Sequence, residues 1–406
     1  MVPLFPDDLD QLGTSRIMTT SRGRIALYYL TGVAAAAQLG KMPPLMPAIG
    51  RDIAMSLVVA AAIISLVELG GALFGRVAGG FAQCAGHARL LRAGIALLAT
   101  GGAGAAFSET AGTLIVWRMV ESLGYLAVTV TAPVLIVLAS EPRHRGPALA
   151  LWSSFVPVGL MLGAIVAGAV AEHASWRAAM MVWVAPSLVA FALLLFLRPV
   201  VTPPVDATSG VPAVAGGRVL TVTIAFGCYT LFEVGMLSLL PELLVTQAGT
   251  SIGTAGLVTG AASFLTIIGI LSAGWWLHRG YRPATLAILT IVPSALLLFA
   301  VFRETPHLPT TIAAAIALNI LSGTFAGLVF ASLPELAGMK RLSAANGYVT
   351  QFGAAGSLLG PPAYAVCISA WGWMGAAVCG ALSVMLGLTL AALAWRQTGA
   401  SESWAG

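Results

Sequence analysis

GTLIVWRMVESLGYLAVTVTAPVLIVLA, residues 112–139, is an apolar stretch that contains one pair of charged residues, Arg118 and Glu121. A helix of about 20 apolar residues is long enough to cross a bilayer. Such stretches recur along the chain of 406 residues, of which 58% are hydrophobic and 9% are charged, whereas soluble domains are about 25% charged. Because the strands of membrane barrels alternate and are only about 10 residues long, the sequence predicts an all-α membrane protein.

The apolar stretches predict twelve transmembrane helices. They lie near residues 24–47, 55–77, 89–107, 112–139, 147–171, 177–198, 218–244, 253–277, 283–302, 309–333, 343–369 and 373–395. Residues 201–217, VTPPVDATSGVPAVAGG, disfavour a helix and separate six spans from six. The predicted order is an N-terminal tail, a six-helix bundle, a linker, a second six-helix bundle and a C-terminal tail, at residues 1–23, 24–198, 199–217, 218–395 and 396–406.

The first 23 residues contain the acidic stretch DDLD and no apolar core, so they are not expected to form a signal peptide. Met18, which is followed by TTSRGR, would also serve as a start. Residues 1–17 are therefore not assumed to belong to the mature protein.

The positive charges are distributed unequally between the two sides of the predicted bundle. With the N-terminus inside, most of the 20 Lys and Arg residues fall in inner loops and tails, and the outer side holds only Lys41, Arg51, Arg177 and Arg303. The positive-inside rule then predicts that both termini are cytoplasmic, as in a protein of the bacterial inner membrane. This topology accounts for the basic pI of 9.3 without a nucleic-acid partner.

The two predicted bundles repeat one another in sequence. The repeat pairs Gln38 with Glu233, Gly40 with Gly235, Gly79 with Gly274, Gly159 with Gly356, Gly163 with Gly360 and Trp176 with Trp373. Parallel repeats joined by a linker are typical of transporters in which two halves rock about a site near the bilayer midplane.

The loop after the second span resembles a signature of the major facilitator superfamily. Gly79, Gly86 and Arg89 fit that signature, whereas Gln83 and Cys84 stand where it has an aspartate and an arginine. The resemblance to this family covers almost the whole chain. It implies two six-helix bundles related by a pseudo-twofold axis, and a monomeric carrier.

Further motifs carry the same resemblance. Residues 118–124, RMVESLG, are similar to the family's arginine motif in span four, and Trp176-Arg177 before span six is typical of the family. The antiporter signature of span five is incomplete, because Ala164 follows Gly163 where a proline is expected. The lysine-proline turn after span one resembles the cyanate-permease-like branch.

Glycines and loop arginines are the predicted gating residues. In the family, spans five and eleven contact the opposite half, and small residues four apart let helices approach closely; static packing is the alternative role for such pairs. The predicted gating residues are Gly79, Gly86, Arg89, Gly159, Gly163, Gly274, Arg279, Gly356 and Gly360.

Charged residues inside the predicted spans are the candidates for transport chemistry. A charge at the centre of a membrane helix costs about 2.5–3.5 kcal/mol on insertion scales and is kept mainly where it faces a wet cavity or a partner. By depth, these candidates are Glu68, Arg118, Glu121 and Glu233, with Lys41 near the outer end of span one.

Gln38 and Lys41 are three residues apart, so they share one face of the first helix. In one interpretation Gln38 donates to the substrate and Lys41 supplies a positive charge above it. In the other, Lys41 extends to the outer headgroups. Pro43 and Pro44 follow directly, and because proline ends or kinks a helix, this bend is a candidate outer gate.

Arg118 and Glu121 are also three residues apart and either form a neutral pair along their helix or leave Arg118 to bind an anion and to modulate a carboxylate. Glu233, the repeat partner of Gln38, is a candidate for both substrate and proton binding. Glu68 and Glu121 are further candidate proton carriers, and the alternative role of Glu68 is an interhelical hydrogen bond. The same cavity is expected to be lined by Tyr125, Tyr229, Asn319 and Gln351.

No cofactor or metal site is predicted. Cys84, Cys228, Cys367 and Cys379 show no CxxC spacing and are expected to be small core residues. Met42 and Met46 form an MxxxM pair, and because thioethers select copper(I), copper(I) import is a minor alternative.

The sequence therefore predicts a secondary active transporter, and no enzyme, that carries a small solute together with a proton across the bilayer. Lys41 and Arg118 favour an anionic solute and symport. The alternative is a proton-coupled exporter of a drug or metabolite. A sensor or membrane enzyme is less favoured because no loop is long enough for a further domain, and the repeat argues against a channel.

Overall fold

The structure is a computed structural model that describes residues 8–197, 216–338 and 341–396, almost all of them helical. The helices are α1 (Asp8–Gly40), α2 (Met42–Ile53), α3 (Leu57–Ser65), α4 (Leu69–Ala85), α5 (His87–Ala106), α6 (Ala111–Ala139), α7 (Arg145–Ser153), α8 (Phe155–His173), α9 (Trp176–Val182), α10 (Val184–Phe196), α11 (Gly217–Thr246), α12 (Ile252–His278), α13 (Pro283–Val301), α14 (Leu308–Ala337) and α15 (Leu342–Arg396). Most of the predicted linker, 199–217, and of the C-terminal tail, 396–406, lies outside the described residues.

Nine helices in the described ranges are long and apolar enough to cross a membrane. Predicted spans two and four to ten fall on eight of them, and spans eleven and twelve lie together on α15. The predicted first and third spans correspond to α1 and α5, which are not among these nine. The twelve-helix prediction is consistent with this arrangement.

Serine and threonine hydroxyls fix the starts of several helices. Thr110, Ser175 and Ser251 precede α6, α9 and α12, and each side-chain oxygen accepts a backbone N–H of the first turn over 3.1–3.2 Å. This bond satisfies a donor that has no partner within the helix. The predicted starts of these helices lie one residue further along the chain.

The proline-rich end of the first predicted span is broken, as expected. α1 ends at Gly40 and α2 begins at Met42, so Lys41 occupies the turn between them. Pro43 and Pro44 stand in the first turn of α2, where the missing N–H of proline is tolerated. The two helices therefore meet at a bend that carries a lysine.

The largest difference from the predicted helix limits is at α1, which begins at Asp8, well before the predicted start at residue 24. α15 consists of two helices that meet at a kink, where Trp371 and Gly372 leave helical geometry, and this kink falls between the predicted limits of spans eleven and twelve. Gly372 has a φ of 68°, which glycine adopts without the steric cost that a side chain would add.

The buried side chains divide at the predicted linker. One cluster, which includes Phe232 and Tyr364, belongs almost wholly to α11–α15, the C-terminal half. Two clusters belong to α1–α10, the N-terminal half, one around Tyr28 and Trp152 and the other around Met42. Each half therefore has its own core.

The predicted glycine pairs hold the first long helix of each half against the fifth span of the same half. A Cβ at Gly163 would lie 2.6 Å from the carbonyl oxygen of Ala37 in α1, and one at Gly360 would lie 2.5 Å from the carbonyl oxygen of Leu231 in α11. Gly159 and Gly356 approach the same two helices. These glycines do not make the expected contact with the opposite half; their geometry is that of packing within each half.

The two halves meet along α8 and α12. A Cβ at Gly256 would lie 2.5 Å from the carbonyl oxygen of Ala164, so the backbones are in close contact. Near the end of α8, Glu172 Oε2 accepts hydrogen bonds from Gly253 N at 2.8 Å and from Ser251 Oγ at 2.9 Å. A carboxylate at this position stabilises the start of α12, because the first N–H groups of a helix carry partial positive charge.

A second contact between the halves joins α4 to α15. Gln351 Nε2 donates to the carbonyl oxygen of Ala72 over 3.0 Å, and the Arg76 guanidinium lies 4.5 Å from the centroid of the Tyr348 ring. The approach of Arg76 to the Tyr348 ring is a cation–π interaction, which is attractive at this distance. Gln351, predicted to bind substrate, therefore bonds across the boundary between the halves.

The remaining predicted gating residues lie at helix ends. A Cβ at Gly79 or Gly274 would meet nothing within 4 Å, and Gly86 ends α4 with a φ of 86°. Arg89 is exposed, and the Arg279 guanidinium lies 3.7 Å from the centroid of a tryptophan ring in α12. Their gating roles remain predictions.

Asp52 joins the end of α2 to the start of α9. Its Oδ2 accepts from Arg177 Nη1 at 2.5 Å and from Trp176 Nε1 at 2.9 Å. These hydrogen bonds, that of Arg177 above all, lower the pKa of Asp52 below its usual value. The stabilisation is therefore present at neutral pH, and it is lost as the pH falls below the usual carboxyl range.

Gly256→Ala is expected to destabilise the protein, whereas Gly274→Ala on the same helix is not. The first Cβ would meet a backbone carbonyl, and overpacking costs about 1–3 kcal/mol. The second would meet nothing, and alanine favours a helix by roughly 0.5–1 kcal/mol over glycine. Thermal unfolding in detergent measures both. An unchanged Tm for Gly256→Ala would contradict the close packing of α8 on α12.

Candidate functional site

Three ionised side chains meet inside the N-terminal half, and we call them the ion-pair cluster: Lys41, Arg118 and Glu121. Each is 0% exposed. Lys41 Nζ lies 2.7 Å from Glu121 Oε1, and Arg118 Nη1 pairs with Glu121 Oε2. The predicted pairing of Arg118 with Glu121 along one helix is therefore confirmed, and Lys41 joins it from the turn between α1 and α2.

Backbone carbonyls hold the Arg118 guanidinium in place. Nε donates to Ile63 O at 3.2 Å, Nη2 to Ile64 O at 2.9 Å and Nη1 to Gln38 O at 3.1 Å. Ile63 and Ile64 lie in the last turn of α3, where carbonyls have no donor within the helix, just before the 3-10 segment Leu66–Glu68. Arg118 thus supplies hydrogen-bond donors to the last turn of α3 and links α1, α3 and α6.

Gln38 lies on the same face as Lys41, as predicted. Lys41 Nζ donates to Gln38 Oε1, and Gln38 Nε2 donates to Trp183 O over 3.5 Å. Trp183 stands at the break between α9 and α10. Because Lys41 is fully enclosed, the interpretation in which it extends to the outer headgroups is wrong.

Two glycines of α5 make room for the ion-pair cluster. A Cβ at Gly101 would lie 2.7 Å from Glu121 Cγ, and one at Gly102 would lie 3.3 Å from Glu121 Oε1 and 3.4 Å from Lys41 Nζ. Neither glycine is among the residues predicted from the sequence. Their only signal there is the adjacent pair in ATGGAG, residues 99–104, which gives α5 a small-residue surface.

When all three side chains are ionised, the ion-pair cluster contains two positive charges and one negative charge. Within the described part of the chain, Glu121 is the only carboxylate that forms an ion pair with Lys41 or Arg118. Removing charges from water costs several kcal/mol per ion unless they are paired and hydrogen-bonded. The hydrogen bonds to Glu121, to Gln38 and to the α3 carbonyls supply that compensation, but one positive charge remains in excess.

In the C-terminal half, Glu233 lies among neutral polar groups. Thr266 Oγ1 is 3.4 Å from Glu233 Oε1 and 3.3 Å from Asn319 Oδ1. The Tyr229 hydroxyl lies beside Glu233 and Ser322. Glu233 is half-buried. The structure thus brings together Glu233, Tyr229 and Asn319, and adds Thr266, which is not among the predicted residues.

Glu68 ends the 3-10 segment between α3 and α4 and is half-buried. A Cβ at Gly71 would lie 3.7 Å from Glu68 Oε2 and 2.9 Å from Ala354 Cβ, so Glu68 lies near α15 of the other half. Its charge acts on the buried Tyr125 hydroxyl. Among the described residues, neither Glu68 nor Glu233 has a cationic partner.

The cysteines and methionines form no common site in the described chain. All four cysteines are unpaired. The prediction that they are core residues is wrong for Cys84, which is exposed, whereas the other three are half-buried and Cys379 packs against the core of the C-terminal half. Met42 and Met46 are buried in an apolar cluster of the N-terminal half, and Met236 in the core of the C-terminal half. No group of three or more His, Cys, Asp or Glu residues that could hold a metal occurs among the described residues.

Glu121→Gln is expected to destabilise the protein more than Lys41→Met does. The first change leaves two buried cations without a counter-charge, and breaking a buried pair in this way costs about 3–5 kcal/mol. The second leaves a balanced Arg118–Glu121 pair. Glu141→Gln is the control, because the exposed pair of Glu141 with Arg143 contributes at most about 1 kcal/mol. Thermal unfolding ranks the three, and a Glu121→Gln variant as stable as Lys41→Met would contradict the excess of positive charge.

The chain resembles known proteins in sequence. The family model of the Major Facilitator Superfamily matches residues 28–227 and 222–405, so each half is matched once. Over 110 residues, 27% of this chain, it is 33% identical to the methyl viologen resistance protein SmvA of Salmonella typhimurium. Over 175 residues, 42% of this chain, it is 31% identical to the human proton myo-inositol cotransporter. The matched segments span 22% and 25% of the lengths of these two relatives.

Solved structures share the fold. A bacterial homologue of the human lysosomal transporter Spinster, in an inward-facing and unoccupied conformation, has a TM-score of 0.76 at 16% identity, over 95% of this chain and 99% of the other. The D-xylose–proton symporter has a TM-score of 0.69 at 16% identity, over 89% and 96%. Because a family model matches both halves, this multi-pass membrane protein belongs to the major facilitator superfamily.

Proposed function

We propose that this transporter carries a small anionic solute together with protons, by symport and alternating access. The observation that carries the proposal is that two basic side chains share one carboxylate in the fully buried ion-pair cluster, which is positively charged when all three are ionised. Charges in a protein interior interact more strongly than in water, so a solute anion that binds beside Lys41 would offset this charge. Gln38, hydrogen-bonded to Lys41, is the neutral polar group at the same place.

We assign proton binding to Glu233 and Glu68. Both carboxylates are half-buried and, in the described chain, neither faces a cation. Protonation of either makes the interior more positive, which favours an anion. A proton and an anion therefore promote each other's binding, whereas a proton and a cation compete. The first relation gives symport and the second gives antiport.

We also propose an orientation in the membrane, a cellular location and an oligomeric state. The predicted orientation places both termini in the cytoplasm and the protein in the bacterial inner membrane, because the arginine-rich loops belong on the inner side. The two six-helix bundles, residues 24–198 and 218–395, are the moving units. A monomer is expected to be sufficient for transport.

A second candidate is the export of an organic cation by proton antiport. It is favoured by the same pair of half-buried carboxylates without cationic partners, Glu68 and Glu233. The similarity to a protein named for methyl viologen resistance supports it over 27% of the chain. Copper(I) import has less support, because Met42 and Met46 are enclosed by apolar side chains.

Purified protein in detergent should be stabilised by a small anion and not by organic cations. A ligand that binds only the folded state raises its Tm, so a thermal-shift screen of inorganic anions, carboxylates and methyl viologen tests this. The shift caused by an anion is expected to disappear in Lys41→Met, because the cluster is then neutral.

The matched control is Glu141→Gln, which changes one exposed charge and should keep the anion-induced shift. Stabilisation by methyl viologen alone, or an anion-induced shift that survives unchanged in Lys41→Met, would contradict the anion proposal. The first of these outcomes would favour the exporter.

A further inference from the structure

A shallow cleft opens in the N-terminal half between α1, α5, α6 and α10, away from the ion-pair cluster. Its walls are largely apolar and include Leu91, Leu135 and Leu194, and Tyr28 and Arg92 complete the lining. It lies near the start of α5 and the end of α10, which the proposed topology places at the cytoplasmic surface.

Arg92 is a fixed cation at this cleft. Its Nε donates to Leu194 O over 3.0 Å and its Nη2 donates to Leu197 O over 3.1 Å. These carbonyls lie at the C-terminal end of α10, where backbone acceptors lack helical donors. A guanidinium has five N–H donors, so the carbonyls orient the side chain and leave other donors free.

Arg24 is the second cation, one helical turn before Tyr28 on α1. Its Nε is buried, and no described group accepts its hydrogen bond. Tyr28 and Arg92 line the same cavity, and Arg24 is four residues before Tyr28 on α1, so the three side chains belong to one region of the N-terminal half. Within the described ranges neither arginine forms an ion pair with a carboxylate.

Two arginines that have no acidic partner in the described chain, at the proposed cytoplasmic surface, match the chemistry of the phosphate of an anionic phospholipid. Guanidinium groups bind phosphate oxygens in pairs of hydrogen bonds. Anionic lipids give the cytoplasmic leaflet a negative surface potential, and basic pockets between helices bind their headgroups. An unpartnered buried guanidinium N–H is costly, which a phosphate oxygen would relieve.

We propose that Arg24 and Arg92 bind the phosphate of an anionic phospholipid, with the Tyr28 hydroxyl as a further donor. The bound lipid would connect α1, α5 and α10 at one end of the N-terminal half. This site is separate from the ion-pair cluster and does not depend on the identity of the transported solute.

The test uses the full chain in a neutral detergent, with phosphatidylglycerol, phosphatidylcholine or inorganic phosphate added at equal concentration. Phosphatidylglycerol is expected to raise the Tm and to remain bound in native mass spectrometry. Arg24→Gln should weaken its binding about fivefold, since each basic residue near an anionic surface contributes about that factor. Arg22→Gln is the matched control, because Arg22 is exposed two residues away on the same helix and its loss should leave binding unchanged.

Equal stabilisation by phosphatidylcholine, or equal phosphatidylglycerol binding by Arg24→Gln and wild type, would overturn the proposal. An equal Tm shift from inorganic phosphate would show a site for free phosphate and would overturn the assignment to lipid. If Arg24→Gln does not fold, Tyr28→Phe replaces it. Loss of the hydroxyl should then weaken the binding of phosphatidylglycerol, and unchanged binding would contradict the site.

Discussion

Glu121 has to balance two cations in a place without water, and the architecture of the N-terminal half follows from that constraint. Ions in a dry interior need partners in good geometry. Lys41 is therefore carried on a break between two helices, Arg118 bonds to the open end of α3, and Gly101 and Gly102 leave space on α5. Each of these features would be unfavourable by itself, and together they enclose three charges. The same enclosure holds two basic side chains against one carboxylate, which is the basis of the proposed preference for an anion.

The C-terminal half repeats the helices but not the charges. Gly40 and Gly235 correspond in sequence and both lie against the fifth span of their own half, where a Cβ at Gly235 would come within 2.7 Å of the Tyr364 ring. At the position of Gln38, however, the second half has Glu233, which is half-buried and faces only neutral groups. One half thus holds a buried ion-pair cluster, and the other holds a carboxylate without a cationic partner among the described residues. In the proposed mechanism, this difference divides solute attraction and proton binding between the two halves.

Most of the fold was predictable from the sequence, because apolar length and helix-ending residues depend on local chemistry. The span limits agree closely, and the pairing of Arg118 with Glu121 follows from their spacing on one helix. Lys41 and Glu121 lie 80 residues apart. No pattern in the sequence connects the two positions, because their contact depends on how the helices pack. The helix against which a glycine pair packs is likewise set by contacts between distant parts of the chain. Gly163 was therefore expected against the opposite half, whereas it packs against α1 of its own half. Cys84 was placed in the core on residue type alone, although α4 extends beyond the apolar stretch.

The central claim is that a solute anion and a proton bind cooperatively, and proton uptake on binding measures it most directly. The solute would be added to purified protein in weakly buffered solution with a pH indicator. The account predicts that wild-type protein takes up protons as the anion binds, and that Glu233→Gln takes up fewer. Release of protons on binding, or binding of the anion without any proton exchange, would contradict it.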